Sequence, residues 1–284
     1  MVRGQPGPVL RRAGVVGSPV AHSLSPVLHR AAYAELGLCG WSYDRAEVGS
    51  GGLARHVAGL GPDWVGLSVT MPGKEEALAL ADVAGEEAVA VGAANTLVRG
   101  EAGWSAHNTD VHGLTAALRE AGVGRAGRAV LLGGGATARS VVVALHALGV
   151  DRLTCCVRDD LRPATRELTE RIGMGTTVSR LAEGIPLGGV DVVVSTLPGG
   201  APAPPVVGTT GRLPVVMDVS YDPWPSAVGT AVLSATGGRV QVVRGTRMLL
   251  HQAVRQVELM TGRPGPTAAM DRALSRHLAA EATS

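Results

Sequence analysis

The sequence predicts an α/β protein of two domains, and three observations support this prediction. Short apolar runs alternate with segments of helical periodicity, which indicates strands layered against helices. A glycine-rich turn joins one of these runs directly to a helix. The hydrophobic residues, 45% of the 284, are mainly aliphatic, since the chain has no Phe, four Trp and three Tyr. Such a core suits buried parallel strands with helices over both faces.

In the first half of the chain, a start rich in Gly, Pro and Arg is predicted to be disordered, and a strand follows at Ala13–Gly17. Ser25 is a natural N-cap and Pro26 a natural first residue for a helix that ends near Gly37. The alternation then continues with a strand at 64–69, a helix beginning near residue 75, a strand at 93–98, a turn at 108–110 and a helix at 111–121.

The second half continues the same alternation. Strands are predicted at 129–132, 152–157, 190–195 and 215–219, with a Gly/Pro-rich connection at 197–214. Helices are predicted from the glycine-rich turn to about residue 148, at 163–172, at 246–260 and near 270–280.

Composition argues against several classes of partner. The formal net charge is +2, and the aromatic residues are too few to stack on bases, so we expect no nucleic acid partner. No apolar run approaches the roughly 20 residues that span a bilayer, and the N-terminus lacks the apolar stretch of a signal peptide, so we expect a cytoplasmic protein without a membrane partner. The histidines lack metal-ligand spacing, and no metal is expected. Cys39, Cys155 and Cys156 are interpreted as reduced thiols, and the sequence leaves open whether the chain forms a homodimer.

The glycine-rich turn at 133–138 follows a strand and opens a helix, in a βαβ unit of the expected length. It matches the G-x-G-x-x-A form of a dinucleotide-binding turn. Glycines let the backbone approach a pyrophosphate, and the helix N-terminus presents N–H groups and the positive end of its dipole. The alternative is a glycine-rich turn without a ligand. The residues that we assign to a nicotinamide dinucleotide here are Gly133, Gly134, Gly135, Ala136 and Thr137.

The choice between the two nicotinamide cofactors is made at the end of the next strand. Arg158 and Arg162 favour the 2′-phosphate of NADP, whereas Asp159 would repel that phosphate if it points inward. The sequence therefore favours NADP and leaves NAD open. In the alternative interpretation, both arginines are solvated and paired with neighbouring aspartates.

Five short motifs occur in one order along nearly the whole chain: GSPVAHSLSP at 17–26, SVTMPGK at 68–74, GAANTL at 92–97, NTDVHG at 108–113 and GTRMLLHQA at 245–253. Together with the segment at 218–223, they resemble the shikimate dehydrogenase family. The resemblance implies a substrate domain at 1–108, completed by the helices of 245–284, and a Rossmann NADP-binding domain at 109–244, with the active site in the cleft. It also implies the reversible reduction of 3-dehydroshikimate to shikimate in the chorismate pathway to the aromatic amino acids.

The resemblance further implies roles for single residues. Lys74 is the catalytic group, assisted by Asp110. Substrate contacts fall to Ser23, Ser25 and Tyr221 at the carboxylate, and to Thr70, Asn95, Asp110 and Gln252 at the ring hydroxyls. Cofactor contacts beyond the glycine turn fall to Arg158, Thr196 and Val219, with Gly245 and Met248 beside the nicotinamide.

The chemistry is consistent with these residue types. Hydride addition to a ketone generates an alkoxide, which needs a proton donor within hydrogen-bond reach. A lysine ammonium held charged by Asp110 is a suitable donor, and in the oxidative direction it must first lose its proton, so activity should rise towards alkaline pH. Each residue also has a structural alternative: Ser25 and Asp110 could be helix caps, and Lys74 could be a solvated lysine. Five motifs in one order favour the functional interpretation.

The sequence departs from the family pattern at three places. The family usually has Asn at the position of Ser68 and Gly at that of His107, and only Arg158 remains of its Asn-Arg-Thr run. The smaller Ser68 predicts a hydrogen bond that is lost or mediated by water. Two alternatives to the main function follow. One is an NAD-dependent paralogue acting on quinate, which Asp159 supports, and the other is a dinucleotide-binding regulator without turnover, which the presence of Lys74 and Asp110 disfavours.

Overall fold

The computed structural model describes residues 11–281 and confirms the α/β fold class. The chain forms two compact units. Unit 1 runs to Thr109 and resumes at Leu250, and unit 2 is Asp110–Leu249. The start predicted to be disordered lies outside the described residues as far as residue 10, whereas Arg11 and Arg12 already belong to the first strand. Within residues 11–281, no helix has the length and apolar character needed to cross a bilayer.

Unit 1 contains a six-stranded mixed sheet and short helices. Its strands are β1 (Arg11–Gly17), β2 (Trp41–Glu47), β3 (Trp64–Val69), β4 (Val83–Ala84), β5 (Thr96–Gly100) and β6 (Gly103–His107). Its first helices are α1 (Ser25–Glu35), α2 (Leu53–Ala58), α3 (Lys74–Leu80) and α4 (Glu86–Val91). The strand order is β2-β1-β3-β5-β6-β4, with β5 antiparallel to both its neighbours.

Two expectations for unit 1 are wrong in detail. The strand predicted at 93–98 begins only at Thr96, because the backbone before it turns away to bond outside the strand: Ala94 N–H donates to the Lys74 carbonyl at 2.8 Å. Ser25 does not cap α1, because the helix begins at Ser25 itself, and the apolar side chain of the N-cap residue Leu24 makes no capping hydrogen bond.

Unit 2 is a parallel six-stranded sheet between helices. Its elements are α5 (Asp110–Glu120), β7 (Arg128–Leu132), α6 (Ala136–Ala147), β8 (Arg152–Val157), α7 (Pro163–Arg171), β9 (Gly175–Arg180), β10 (Ile185–Pro186), β11 (Val192–Ser195), β12 (Val206–Val207), β13 (Val215–Asp218), α8 (Ala227–Ala235) and β14 (Gln241–Arg244). The strand order β14-β13-β11-β7-β8-β9 is that of a Rossmann fold, and β7 and β11 flank the point where the order reverses. Ligands bind at that point, beyond the carboxyl ends of the strands.

Two helices complete the chain: α9 (Gly245–Thr261) begins in unit 2 and continues into unit 1, and α10 (Thr267–Glu281) packs on α1 within unit 1.

The interiors of both units are aliphatic, as the composition predicts. Cys155 and Cys156 are buried in β8, and burial raises the pKa of their thiols to about 12 and about 11. Cys39 is exposed, and all three are free thiols. Fully buried large side chains include Leu28, Tyr43, Leu53, Leu67 and Leu97 in unit 1 and Leu131, Leu132, Leu145, Leu153 and Leu168 in unit 2.

Candidate functional site

The glycine turn lies at the reversal point of the unit 2 sheet. Gly133 has a φ of +102°, a conformation that favours glycine, and a Cβ at this position would come within 2.5 Å of Thr196 Oγ1. Thr196 in turn follows β11 and donates from its hydroxyl to the Leu132 carbonyl at 2.9 Å. The turn after β7 and the loop after β11 are therefore in contact where a Rossmann ligand binds.

Gly135 has no such steric constraint. It precedes α6 with a φ of −83°, and a Cβ there would meet nothing within 4 Å. As the N-cap residue, Gly135 has no side chain that could cover the first turn of α6. The start of this 12-residue helix, with open space beside Gly135, fits the pyrophosphate of a dinucleotide.

Beyond the end of β8, Asp159 forms an ion pair with Arg180. Its side chain is 91% exposed and its carboxylate accepts from Arg180 at 3.4 Å. The same Arg180 guanidinium donates to the Arg158 carbonyl at 3.0 Å. Arg180 ends β9, so a residue of the neighbouring strand partly neutralises the acidic group that the sequence sets against NADP.

The loop after β13 comes close to the start of α9. A Cβ on Gly245 would lie only 2.0 Å from the Val219 carbonyl oxygen, so glycine is required there. Tyr221 is held through its carbonyl, which accepts from Arg244 at 2.8 Å. The buried Asp218 orders the start of this loop by accepting from Ser220 N–H at 3.1 Å, and burial raises the pKa of its carboxyl group. Met248, one turn into α9, is buried.

Ser23 and Ser25 lie together at the start of α1. Ser23 Oγ accepts from the Ser25 N–H at 3.3 Å, and Arg45 of β2 donates to the Ser23 carbonyl at 2.7 Å. Ser25 is buried. Ser23 is half-buried, and its carbonyl accepts from the cationic side chain of Arg45.

Asn95 and Gln252 meet inside unit 1. Asn95 Nδ2 donates to Gln252 Oε1 at 3.2 Å and to Thr109 Oγ1 at 2.9 Å, and Asn95 Oδ1 accepts from the Thr109 N–H at 2.8 Å. All three residues are at least 94% buried. The structure therefore brings together residues from three of the five motifs.

A second buried chain of polar groups lies beside this one. Tyr43 donates to Ser68 Oγ at 2.5 Å, and Ser68 donates to Gln256 Oε1 at 2.7 Å. His29 Nε2 lies 3.3 Å from the same amide oxygen, and its ring stacks on Tyr43 at 4.0 Å between centroids. Burial lowers the pKa of His29 to about 3 and raises that of Tyr43, so both side chains are neutral at pH 7.

The remaining predicted residues occupy element ends. Lys74 is the first residue of α3, and its carbonyl bonds to the segment that precedes Asn95. Thr70 follows β3 and lies so close to β1 that a Cβ on Gly17 would approach its Cγ2 to 2.3 Å. Asp110 is buried as the first residue of α5. Lys74 and Thr70 belong to unit 1 and Asp110 to unit 2.

Comparison with known proteins identifies the family of this chain. The model of the shikimate dehydrogenase substrate binding domain matches residues 15–97, and that of the shikimate 5′-dehydrogenase C-terminal domain matches residues 245–274. The shikimate dehydrogenase (NADP(+)) of Thermosynechococcus vestitus is 37% identical to this chain over 94% of its length and 96% of the relative's.

The chain belongs to the shikimate dehydrogenase family.

Solved structures of shikimate dehydrogenases resemble the chain along nearly its whole length. The Mycobacterium tuberculosis enzyme is 44% identical with a TM-score of 0.81, covering 94% of this chain and 99% of that one. The Thermus thermophilus enzyme in complex with NADP(H) and shikimate is 28% identical with a TM-score of 0.79, covering 94% and 99%. The resemblance inferred from the five motifs is confirmed.

Sequence reasoning missed several residues that contact the candidate site residues. Arg180 comes from β9, Arg45 and Tyr43 from β2, and Gln256 lies one turn beyond Gln252 in α9. Only Gln256 carries a detectable sequence signal, because residues four apart share one helix face. Ser68, which the sequence marks as a departure from the family pattern, bonds directly to Tyr43 and Gln256.

Proposed function

We propose that this chain catalyses the reversible, NADP-dependent reduction of 3-dehydroshikimate to shikimate. The observation that carries the proposal is the hydrogen bond between Asn95 and Gln252, which joins two family motifs 157 residues apart in one buried amide pair. Amides and hydroxyls placed in this way suit a polyol, because a site built to bind hydroxyls strongly rejects analogues that lack them.

Residues of both units have roles in the proposal. Ser23 and Ser25 bind the substrate carboxylate, with Tyr221 close to it. The ring hydroxyls are bound by Thr70, Asn95, Asp110 and Gln252. Unit 1 is the substrate unit in this proposal, and its helix starts and polar interior hold the contacts that the carboxylate and hydroxyls need.

Lys74 moves the proton in the proposed reaction. In the reductive direction its ammonium donates to the oxygen of the former ketone as charge develops there, and Asp110 keeps the lysine charged and oriented. In the oxidative direction Lys74 must first be neutral before it can accept the hydroxyl proton. The rate of shikimate oxidation is therefore expected to rise towards alkaline pH.

The dinucleotide supplies or accepts the hydride when it is bound. Gly133, Gly134 and Gly135, with Ala136 and Thr137, hold its pyrophosphate at the N-terminus of α6, and Thr196, Val219, Gly245 and Met248 complete its contacts. Arg158 binds the 2′-phosphate. The ion pair between Asp159 and Arg180 supports NADP, because a carboxylate paired with an arginine repels a phosphate less than a bare carboxylate does.

The decisive experiment is the initial rate of absorbance change at 340 nm when the purified chain receives shikimate with NADP. Parallel mixtures contain NAD in place of NADP, or quinate in place of shikimate. We expect the fastest turnover with shikimate and NADP. Turnover mainly with NAD or quinate would indicate an NAD-dependent paralogue that acts on quinate. Absence of turnover in all mixtures would indicate a dinucleotide-binding regulator.

A cytoplasmic location and a homodimer are part of the same proposal. Cell fractionation tests the location, and light scattering of the purified chain tests the oligomeric state.

A further inference from the structure

Gln256 connects the two strands that carry the substrate motifs of unit 1. Ser68 of β3 and Thr96 of β5 lie directly opposite each other in the antiparallel ladder. The Gln256 amide spans this pair: its Oε1 accepts from the Ser68 hydroxyl at 2.7 Å, and its Nε2 donates to the Thr96 hydroxyl at 2.9 Å. All three side chains are at least 96% buried, so water does not compete for these bonds.

The orientation of the Gln256 amide is determined by its partners. Nε2 also lies 3.2 Å from the Asn95 carbonyl, and a carbonyl can only accept. If the amide were flipped, its oxygen would face that carbonyl and its NH2 would face the position that His29 and Ser68 fill with donors. The observed orientation is therefore the one that pairs every donor with an acceptor.

This orientation is passed on to the substrate amides. With its hydroxyl oxygen occupied by Gln256, Thr96 donates its proton to Asn95 Oδ1 at 2.9 Å. The Thr109 N–H donates to the same oxygen, which fixes Asn95 Nδ2 on the side of Gln252. Gln252 in turn presents its oxygen to Asn95. A substrate hydroxyl that reaches the other end of the Gln252 amide thus meets an N–H donor.

We propose that Gln256, acting through Ser68 and Thr96, is a positioning residue that sets the donor and acceptor directions of Asn95 and Gln252 for the ring hydroxyls. The inference rests on the proposed function of those two residues. Ser68 stands where the family pattern has Asn, and the pair of Ser68 and Gln256 places an amide beside Thr96 that an asparagine at position 68 could place there by itself.

The network is also protected from a change of charge. His29 and Tyr43, which close it on the side of α1, are fully buried and neutral at pH 7. Tyr43 donates to Ser68 and His29 lies against Gln256, so both contacts on this side place no charge beside the amides.

The first test is Gln256→Ala, assayed with shikimate and with a shikimate analogue that lacks one ring hydroxyl. Removing the amide leaves Thr96 and the Asn95 carbonyl without their partner and lets the Thr96 hydroxyl turn away from Asn95 Oδ1. The orientation of Asn95, and through it that of Gln252, is then maintained by Thr109 alone. We expect the KM for shikimate to rise by about tenfold, because a lost buried partner commonly costs that much. The ratio of kcat/KM between shikimate and the analogue should fall towards one, while the KM for NADP stays unchanged.

Val257→Ala is the matched control, because Val257 is fully buried on the same helix and is apolar. Val257→Ala should lower the thermal midpoint about as much as Gln256→Ala does. It should leave unchanged the ratio of kcat/KM for shikimate to kcat/KM for the analogue. A purely structural role for Gln256 predicts the same behaviour for both variants, and that result would overturn the proposal.

The second test is rescue. Ser68→Asn alone replaces a hydroxyl with the larger amide side chain of asparagine, which crowds Gln256, and it should raise the KM for shikimate. The double variant Ser68→Asn with Gln256→Ala should recover most of the discrimination against the analogue, because the asparagine lies opposite Thr96 and can bond to it. If the double variant instead loses as much discrimination as the two single variants added together, an asparagine at position 68 does not replace Gln256. If the unmodified chain has no shikimate turnover, the proposed function fails; if it turns over normally and Gln256→Ala retains its discrimination, only the positioning role fails.

Discussion

The two units use buried polar side chains in opposite ways. In unit 1, the hydroxyls and amides of Ser68, Asn95, Thr96 and Gln256 bond mainly to one another. In unit 2, buried or half-buried hydroxyls bond to the backbone: Thr165 donates to the Gly134 carbonyl, Thr236 to the Val232 carbonyl and Thr196 to the Leu132 carbonyl, and Ser226 caps α8 by accepting from the Gly229 N–H.

This difference in hydrogen-bond partners indicates which atoms each unit presents to a ligand. Where side chains fix loops by satisfying the backbone, the remaining main-chain N–H groups at a helix start become the recognition surface, as expected for phosphate. Where side chains orient each other, they become the recognition surface themselves, as expected for a small polyol. Substitutions should therefore act through side-chain chemistry in unit 1 and through steric access to the backbone in unit 2.

The largest effect is expected for Lys74→Ala, which removes the proposed proton donor from unit 1. Turnover should fall by about 10² to 10⁴, the usual contribution of general acid–base catalysis, with the KM for shikimate nearly unchanged. Steady-state rates of NADPH formation measure this, and circular dichroism verifies the fold. A variant with near-normal turnover would remove Lys74 from the chemistry.

The next effect tests the backbone surface of unit 2. Gly135→Ala should raise the KM for NADP roughly tenfold at unchanged thermal midpoint, because the added methyl meets nothing in the protein and blocks only the approaching pyrophosphate. Gly133→Ala is the comparison variant and should lower the midpoint, since its φ of +102° and its contact with Thr196 disfavour a side chain. Normal NADP affinity in Gly135→Ala would show that no ligand approaches this turn.

A smaller effect is expected at the exposed end of β8. Arg180→Ala should lower the ratio of kcat/KM for NADP over NAD several-fold, about 1 kcal/mol, because Asp159 loses its ion-pair partner. Asp159→Asn in the same chain should restore the ratio if Arg180 acts through Asp159. A loss that persists in the double variant would mean that Arg180 contacts the 2′-phosphate itself, and an unchanged ratio in Arg180→Ala would exclude both roles.

The smallest effect concerns the neutral state of the unit 1 network. The pKa of His29 is about 3 in the folded chain and 6.5 when exposed, so between these values the unfolded chain binds a proton that the folded chain does not. Stability conferred by His29 is thus complete above pH 6.5 and falls by about 1.4 kcal/mol per pH unit below it. Urea unfolding followed by Trp fluorescence at pH 7 and pH 5 measures this, since Trp41, Trp64 and Trp104 all lie in unit 1.

His29→Gln is the control for the pH effect, because it keeps an N–H donor near Gln256 but cannot titrate. Its stability should change less between pH 7 and pH 5 than that of the unmodified chain, by about 2 kcal/mol. The contributions of His56 and His107, whose pKa values burial also lowers, are common to both proteins and cancel. If the free energy of unfolding falls equally in the two proteins between pH 7 and pH 5, protonation of His29 does not destabilise the folded chain.

The predictability of the fold depended on where a strand lies in its sheet. The interior strands β3, β7, β8, β11 and β13 have apolar runs and were predicted within two residues at each end. The four edge strands β2, β4, β9 and β14 were not predicted. The interior strand β6 was missed as well, because buried and half-buried residues alternate in it and leave no apolar run. An edge strand needs no continuous apolar run because it is partly exposed, as in Gly175–Arg180, and its identity comes from pairing with a neighbour that the sequence does not show.

The residues of the candidate site also differ in whether the sequence could predict them. The glycine turn was predictable because the backbone conformation itself requires glycine, as the φ of Gly133 shows. Arg180 and Arg45 were not predictable, because both act from edge strands across the sheet on residues 21 or 22 positions away. Ser68 was recognised as a departure from the family, but its compensation by Gln256 depends on a contact across 188 residues that no local pattern contains.

The interruption of unit 1 by unit 2 has a consequence for synthesis on the ribosome. Asn95 and Thr96 emerge early, whereas Gln252 and Gln256 emerge only after all of unit 2 has been made. Domains generally fold as they leave the ribosome, so unit 2 can fold first while the sheet of unit 1 waits for its last helices. The face that Gln256 later covers carries hydroxyl and amide groups, which water solvates well. In a nascent chain these polar groups can stay hydrated until α9 emerges, whereas the apolar residues that Met260 of the same helix packs against, among them Val15 and Tyr43, stay uncovered until then.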